Sequence, residues 1–105
     1  MSKHNAVTVV GSYVQDLAFE AETLPNVGET RLAHHFRTGP GGKGFNQAVA
    51  CHRQGVETLF IGAVGDDVFG RHAEDFAKKE GLRVELEKHP SSYTSAASIG
   101  VDKDG

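Results

Sequence analysis

The stretch "GPGGKGFNQAVA", Gly39 to Ala50, sets four glycines and a lysine directly before a helical pattern. From Gly44 onward, Phe45, Val49 and His52, with Ala48 beside them, fall at i, i+4, i+7 spacing, and Gly55 after Gln54 marks the stop. Taken literally, Gly39 to Gly44 satisfies G-x-G-x-x-G, the dinucleotide fingerprint, but the setting is wrong for it. Those glycines should turn the first buried strand into a helix beneath a pyrophosphate, whereas here the polar, bulky "HHFRT" precedes them. A P-loop would need glycine where Arg37 stands and Ser or Thr where Gly44 stands. A plain flexible turn leaves two features unexplained. Helix starts favour Ser, Thr, Asp or Asn, yet the glycines bare the backbone N–H groups to a close approach. Lys43 and Asn46, three residues apart, add polar side chains on one face of the first turn. The loop alone leaves open whether it holds a phosphate, a nucleotide, a sugar or nothing.

Outward from the loop, "AVTVV" (Ala6 to Val10) is short, β-branched and stopped by Gly11, the pattern of a buried parallel strand. Between them lies a long excursion with turn punctuation at Pro25-Asn26 and Gly28. It is read as short, partly exposed strands such as Thr30 to Phe36 and as a substructure of its own. After the helix, Thr58 to Gly65 is a second buried strand. A second helix follows, with Asp66 and Asp67 as caps, Phe69, Ala73, Phe76 and Ala77 as its apolar stripe, Lys78 and Lys79 in the last turn, and Gly81 as the stop. Strands are expected near Leu82 to Leu86 and over Ala96 to Val101, the latter running into "DKDG" as a hairpin turn whose second strand is absent. Strand and helix alternation of this kind specifies an α/β domain with a largely parallel sheet flanked by helices, and the stop at Gly105 reads as a truncated chain.

The chain has 105 residues, 38% of them apolar and 24% charged, which suits a single folded domain rather than a disordered segment. A formal net charge of −3 with interspersed signs gives no basic stripe, so no nucleic-acid partner is expected. No apolar run reaches the roughly 20 residues of a membrane span. The single cysteine, Cys51, cannot close an internal disulfide, and no signal-peptide pattern opens the sequence, so a cytoplasmic location is expected. Cys51 is read as a small helical hydrophobe, and His34, His35, His52 and His72 lack the close pairing of zinc ligands, so no metal site is expected. Asp66 and Asp67 are read as caps rather than an acid–base pair. Asp16 is, on the residues alone, equally a turn residue or a functional carboxylate.

"GGKGFNQAVACHRQG", with "VVGSYVQD" before it, "PNVGET" between them and "FIGAVGDDVFG" after, resembles the N-terminal part of the ribokinase-like, or PfkB, family of carbohydrate kinases. The resemblance runs from about Val7 to Gly105. It implies a ribokinase-like α/β fold with residues 1–105 as the N-terminal portion of a kinase domain. The excursion at about 12–38 would be a small β lid, which in many members forms the homodimer contact. It implies ATP-dependent phosphorylation of a sugar hydroxyl by a longer parent, with Mg²⁺ on the phosphates. The loop then faces the sugar: Gly41 and Gly42 bring backbone N–H groups close, Lys43 and Asn46 donate to hydroxyls, and Asp16 accepts from two of them. No catalytic residue is expected in this chain, because the family's base lies in a distal glycine-rich segment ending in Gly-Asp, and Gly65-Asp66 belongs to another motif. The 105 residues alone would be inactive. Two departures bear on the substrate: Val14 stands where ribokinases commonly have asparagine, and Phe45 replaces a usually small residue, either crowding the site or packing into the core. The other readings are a non-catalytic sugar-binding or dimerisation module and a dinucleotide-binding oxidoreductase fragment.

Overall fold

The computed structural model describes residues 5–105. In chain order the elements are β1 (Ala6–Val10), β2 (Val14–Glu20), β3 (His35–Gly41), α1 (Lys43–Arg53), β4 (Glu57–Gly65), α2 (Val68–Glu80), β5 (Arg83–His89) and β6 (Ala96–Val101). They form two three-stranded sheets. The first, in order β1-β4-β5, is parallel throughout; the second, in order β3-β2-β6, joins an antiparallel β2–β3 ladder to a parallel β2–β6 ladder.

Two successive βαβ crossovers build the first sheet and step across it in one direction, so both helices cover the same face. Helix α1 packs on β1 and β4, and α2 packs on β4 and β5. Alternation along β4 turns Thr58, Phe60 and Val64 inward. Phe45 from α1 is the hub of that core, fully buried, edge-on to Phe60 at 5.1 Å and to Tyr13 at 5.0 Å, and tilted against Phe76 of α2 at 5.8 Å. The other face of the sheet carries Val10, which is 76% exposed. Strand β1 is therefore an edge strand with only Val9 packed on the core and Val7 and Val10 exposed, not the buried strand its composition suggests.

The helix ends follow local chemistry. Asp67 caps α2 by accepting from the Gly70 N–H at 2.8 Å, and Gly81 closes it in the left-handed region at φ 78° with Lys78 and Lys79 in the last turn. Asp66 is exposed, beside Arg71 at 3.7 Å, and takes no part in the cap.

Three expectations shift. The strand placed at Thr30 to Phe36 begins only at His35, because its partner β2 ends at Glu20, which pairs with His35 and leaves residues 30–33 nothing to bond. For the same reason Gly39, Pro40 and Gly41 are not loop but the end of β3, and Pro40 is tolerated because β3 is an edge strand. The strand placed at Leu82 to Leu86 runs Arg83–His89, while Leu82 is buried and its N–H returns to the Ala77 carbonyl at 2.9 Å. Ala96–Val101 forms as expected but joins the second sheet through β2. The second sheet projects from the first: the extents are 61 × 35 × 20 Å and the radius of gyration is 16.6 Å, against about 13 Å for a compact domain of this length.

Candidate functional site

The glycine cluster seats the start of α1 on the connection between β1 and β2. A Cβ on Gly44 would stand 2.9 Å from the Gly11 Cα, and one on Gly11 would stand 3.0 Å from the Gly44 Cα, so the two backbones touch where neither residue can carry a side chain. Gly42 has φ 96°, in the left-handed region, and any side chain there would strike the Ser12 carbonyl oxygen. That same oxygen accepts from the Phe45 N–H at 3.4 Å. The glycines are thus explained first by close approach within the chain.

A cavity of about 660 Å³ opens at this junction, within the size range of small-molecule sites. Its walls are Val10, Gly11 and Ser12 from the β1–β2 connection, Val14 and Asp16 from β2, Gly42, Lys43, Gly44, Asn46 and Gln47 around the start of α1, and Ala97 from β6. The period of two along β2 puts Val14 and Asp16 on the cavity face and Gln15, Leu17 and Phe19 on the other. Register does the same for β6, where Ala97 is the direct partner of Asp16.

The charges at the cavity are asymmetric. Asp16 is half-buried, and among the described residues its carboxylate has no hydrogen-bond or ion-pair partner. Opposite it, α1 starts without a side-chain cap and without an acidic residue in its first turn, so the positive end of its dipole and the Lys43 ammonium share the rim. A ligand with several hydroxyls meets a pure acceptor on one wall and donors on the other.

A relay that starts at buried Tyr13 and Gln15 and ends at exposed Thr38 holds Asp16 from behind. The Tyr13 hydroxyl donates to Gln15 Oε1 at 2.7 Å, the Gln15 amide donates to Thr38 Oγ1 at 2.8 Å, and the Thr38 hydroxyl donates to the Asp16 main-chain carbonyl at 2.8 Å. Gln15 is only 2% exposed. Burial, and secondly the Asp16 charge, push the Tyr13 phenol up to about 12, so it stays a neutral donor at any physiological pH.

Of the residues singled out in the sequence, Asp16, Gly42, Lys43 and Asn46 meet on the cavity. Gly41 does not line it but lies behind Asp16, where a Cβ would fall 2.5 Å from both carboxylate oxygens. Phe45 is in the core and leaves the cavity uncrowded, while Val14 lines it. Tyr13, Gln15, Thr38 and Ala97 went unread. The alternation of "VQDLAFE" could have signalled the strand that carries Gln15, but nothing local marks Thr38 or Ala97, which arrive through pairing. His52 sits 2.9 Å from the Glu80 carbonyl through Nε2, away from the cavity.

Residues 4–105 match the model of the pfkB family carbohydrate kinases. The chain is 38% identical over 95 residues to a ribokinase of Bacillus subtilis, covering 90% of this chain and 32% of that protein. It is 49% identical over 99 residues to a ribokinase of Lactococcus lactis, covering 93% and 33%. The solved structure of Arabidopsis thaliana ribokinase complexed with ribose and ATP superposes with a TM-score of 0.85 at 32% identity, over 98% of this chain and 34% of that one. The chain spans about a third of the length of the relatives it matches. Fold, glycine junction and matched length together leave one assignment: the chain belongs to the pfkB family of carbohydrate kinases.

Proposed function

We propose that these residues form the N-terminal, sugar-side portion of a kinase that transfers the γ-phosphoryl group of ATP to a sugar hydroxyl. The observation that carries this reading is the convergence of Asp16, Lys43 and Asn46 on one open cavity whose floor is bare glycine backbone. Asp16 accepts from two hydroxyls, Lys43 and Asn46 donate to others, and the glycine backbone allows close approach. Val14 and Ala97 cover the apolar edges of the ring. Such a set discriminates because a wrong ligand leaves buried donors or acceptors unpaired. Positioning of the acceptor hydroxyl is what this chain contributes to the barrier.

Among the described residues no three or more His, Cys, Asp or Glu side chains converge as a metal site. ATP, its Mg²⁺ and the base are assigned to segments outside this sequence, where they supply the phosphoryl donor and its charge compensation. The ribokinase solved with ribose and ATP is the relative that supports this pairing of ligands. The second sheet acts as a lid over the sugar, and its outer face, with Phe19 and Phe36, serves a homodimer. A cytoplasmic location fits the use of ATP.

The test is sugar-dependent ADP formation by the full-length protein, across pentoses, hexoses and nucleosides. Turnover with a sugar, lost on Asp16→Asn, is expected. ADP formation that no sugar stimulates overturns the proposal.

A further inference from the structure

The connection at residues 90–95 leads from β5 in the first sheet to β6 in the second, and only Thr94 within it is buried, at 6% exposure. Its neighbour Tyr93 is 92% exposed. Three hydrogen bonds hold Thr94 to the first sheet and α2. The Gly65 N–H donates to Thr94 Oγ1 at 2.9 Å, the Thr94 hydroxyl donates to Asp67 Oδ1 at 2.6 Å, and the Thr94 N–H donates to Asp67 Oδ2 at 2.8 Å. Asp67 also keeps its helix cap, accepting from the Gly70 N–H.

A cap alone needs one acceptor, and Ser, Thr or Asn would serve. Taking three donors, two of them from one residue of a remote connection, requires both oxygens of a carboxylate. Space for this is made by glycine. A Cβ on Gly65 would fall 2.7 Å from the Thr94 nitrogen and 2.8 Å from Asp67 Oδ2, and one on Gly70 would fall 3.3 Å from Thr94 Oγ1. The next residue already belongs to the second sheet: the Ser95 carbonyl accepts from the Gln15 N–H at 2.8 Å, and β6 then runs to Ala97, the partner of Asp16 and a wall of the cavity.

We propose that Asp67 and Thr94, neither of which touches the cavity, are positioning residues that fix β6, and with it the Ala97 wall, over the Asp16 side of the sugar site. The proposal rests on the reading of that cavity as the sugar site. Thr94 is where the strand is pinned to the rigid sheet, three residues before it meets the ligand. Releasing the pin moves the wall without removing any ligand-binding group.

The experiment uses the full-length protein with Thr94→Val, Thr94→Ser and Asp67→Asn. Hydrogen exchange is read separately over residues 96–101 and 57–64, leaving out Gly65 because its N–H is bonded to Thr94 itself, and steady-state kinetics with sugar and ATP varied in turn. Thr94→Val is expected to speed exchange in 96–101 by about 10- to 100-fold, the equivalent of a lost charge-assisted hydrogen bond, with 57–64 still protected. The sugar KM should rise about tenfold with the ATP KM unchanged, and Thr94→Ser should restore both readouts. Asp67→Asn keeps an oxygen for the Gly70 cap and gives the same pattern, which secures the test if Thr94→Val does not fold. Unchanged exchange in 96–101, equal loss in both segments, or an unchanged sugar KM beside a loosened β6 overturns the proposal. Absence of sugar turnover in the unaltered protein defeats the functional reading instead, and the exchange data still decide whether the pin holds β6.

Discussion

The Asp16 carboxylate rests against the bare Cα of Gly41, so close that a Cβ there would fall 2.5 Å from both of its oxygens. Gly41 has no positive φ, so alanine is compatible with its backbone but not with its neighbour. Gly41→Ala should therefore leave the fold intact and displace the carboxylate. An imperfectly met polar contact costs about 1–3 kcal/mol, so the sugar KM is expected to rise roughly 5- to 150-fold. The ATP KM should stay within about a factor of two. Kinetics of the full-length protein with each substrate varied check this.

Asp16→Asn tests the same wall by chemistry rather than position. The substitution replaces an acceptor-only group with an amide that points donors at donors. Loss of a hydrogen bond to a charged group, about 1.5–3 kcal/mol, corresponds to a fall in kcat/KM for sugar of roughly 10- to 150-fold. Nucleotide use should change far less. Equal losses for ATP and sugar would remove Asp16 from the sugar site.

Val14 lines the cavity on the same strand face as Asp16. An apolar side chain there leaves a ribose-like hydroxyl unpaired, at a cost of about 1–3 kcal/mol. A substrate panel should therefore rank another sugar above ribose, and Val14→Asn should improve ribose kcat/KM by roughly 5- to 150-fold. Ribose ranking first, with no gain from Val14→Asn, would contradict this.

The Asp67 carboxyl is held below its ordinary value of 3.8, first by the hydrogen bond from the Thr94 hydroxyl, then by the Thr94 and Gly70 N–H groups. A depressed folded-state pKa stabilises the fold above the unfolded value, and that contribution disappears as pH falls through the folded one. The stability gap between the unaltered protein and Asp67→Asn should accordingly be full at neutral pH and shrink below about pH 4. Urea unfolding at a series of pH values measures it. A gap that widens on acidification would show that the carboxylate is not the stabilising form.

What the sequence made legible was whatever depends on local chemistry. The cap at Asp67, the stop at Gly81 and the β4 and β6 strands are written in propensity and periodicity, and they stand where the residues place them. Lys43 and Asn46 stand out by their spacing at the helix start and Asp16 stays ambiguous on the residues alone; their common role came from the resemblance, since spacing could not join a carboxylate on β2 to a helix start nearly 30 residues later. What stayed hidden depends on pairing. The limits of β3 are set by the length of β2, Ala97 reaches the cavity only because β6 pairs with β2, and Thr94 is buried by Asp67, 27 residues away. The glycines show the same division: their presence was plain, but Gly11 and Gly44 needing one another was not.

Phe19 and Phe36 are direct cross-strand partners with ring centroids 5.0 Å apart, and they remain 40% and 50% exposed on the face of the second sheet opposite Asp16. Leu24 and Leu32 extend this surface into a groove of about 650 Å³, with Leu32 93% exposed. A contiguous apolar patch of this kind is the surface the proposed homodimer would use, and a two-fold contact presents it twice, so one substitution acts on both copies. Covering the exposed half of Phe36 is worth about half of a full side-chain burial, roughly 0.7–1.5 kcal/mol per copy, and a charge in its place forfeits at least that. Phe36→Glu is therefore expected to raise the dimer dissociation constant at least about 10- to 150-fold. Sedimentation equilibrium of the full-length protein measures the change. Asp16→Asn, on the opposite face, should leave association untouched, which separates loss of the interface from loss of the sheet. A dimer that survives Phe36→Glu with unchanged affinity, or a parent protein that is monomeric at tens of micromolar, would show that this face serves some other purpose.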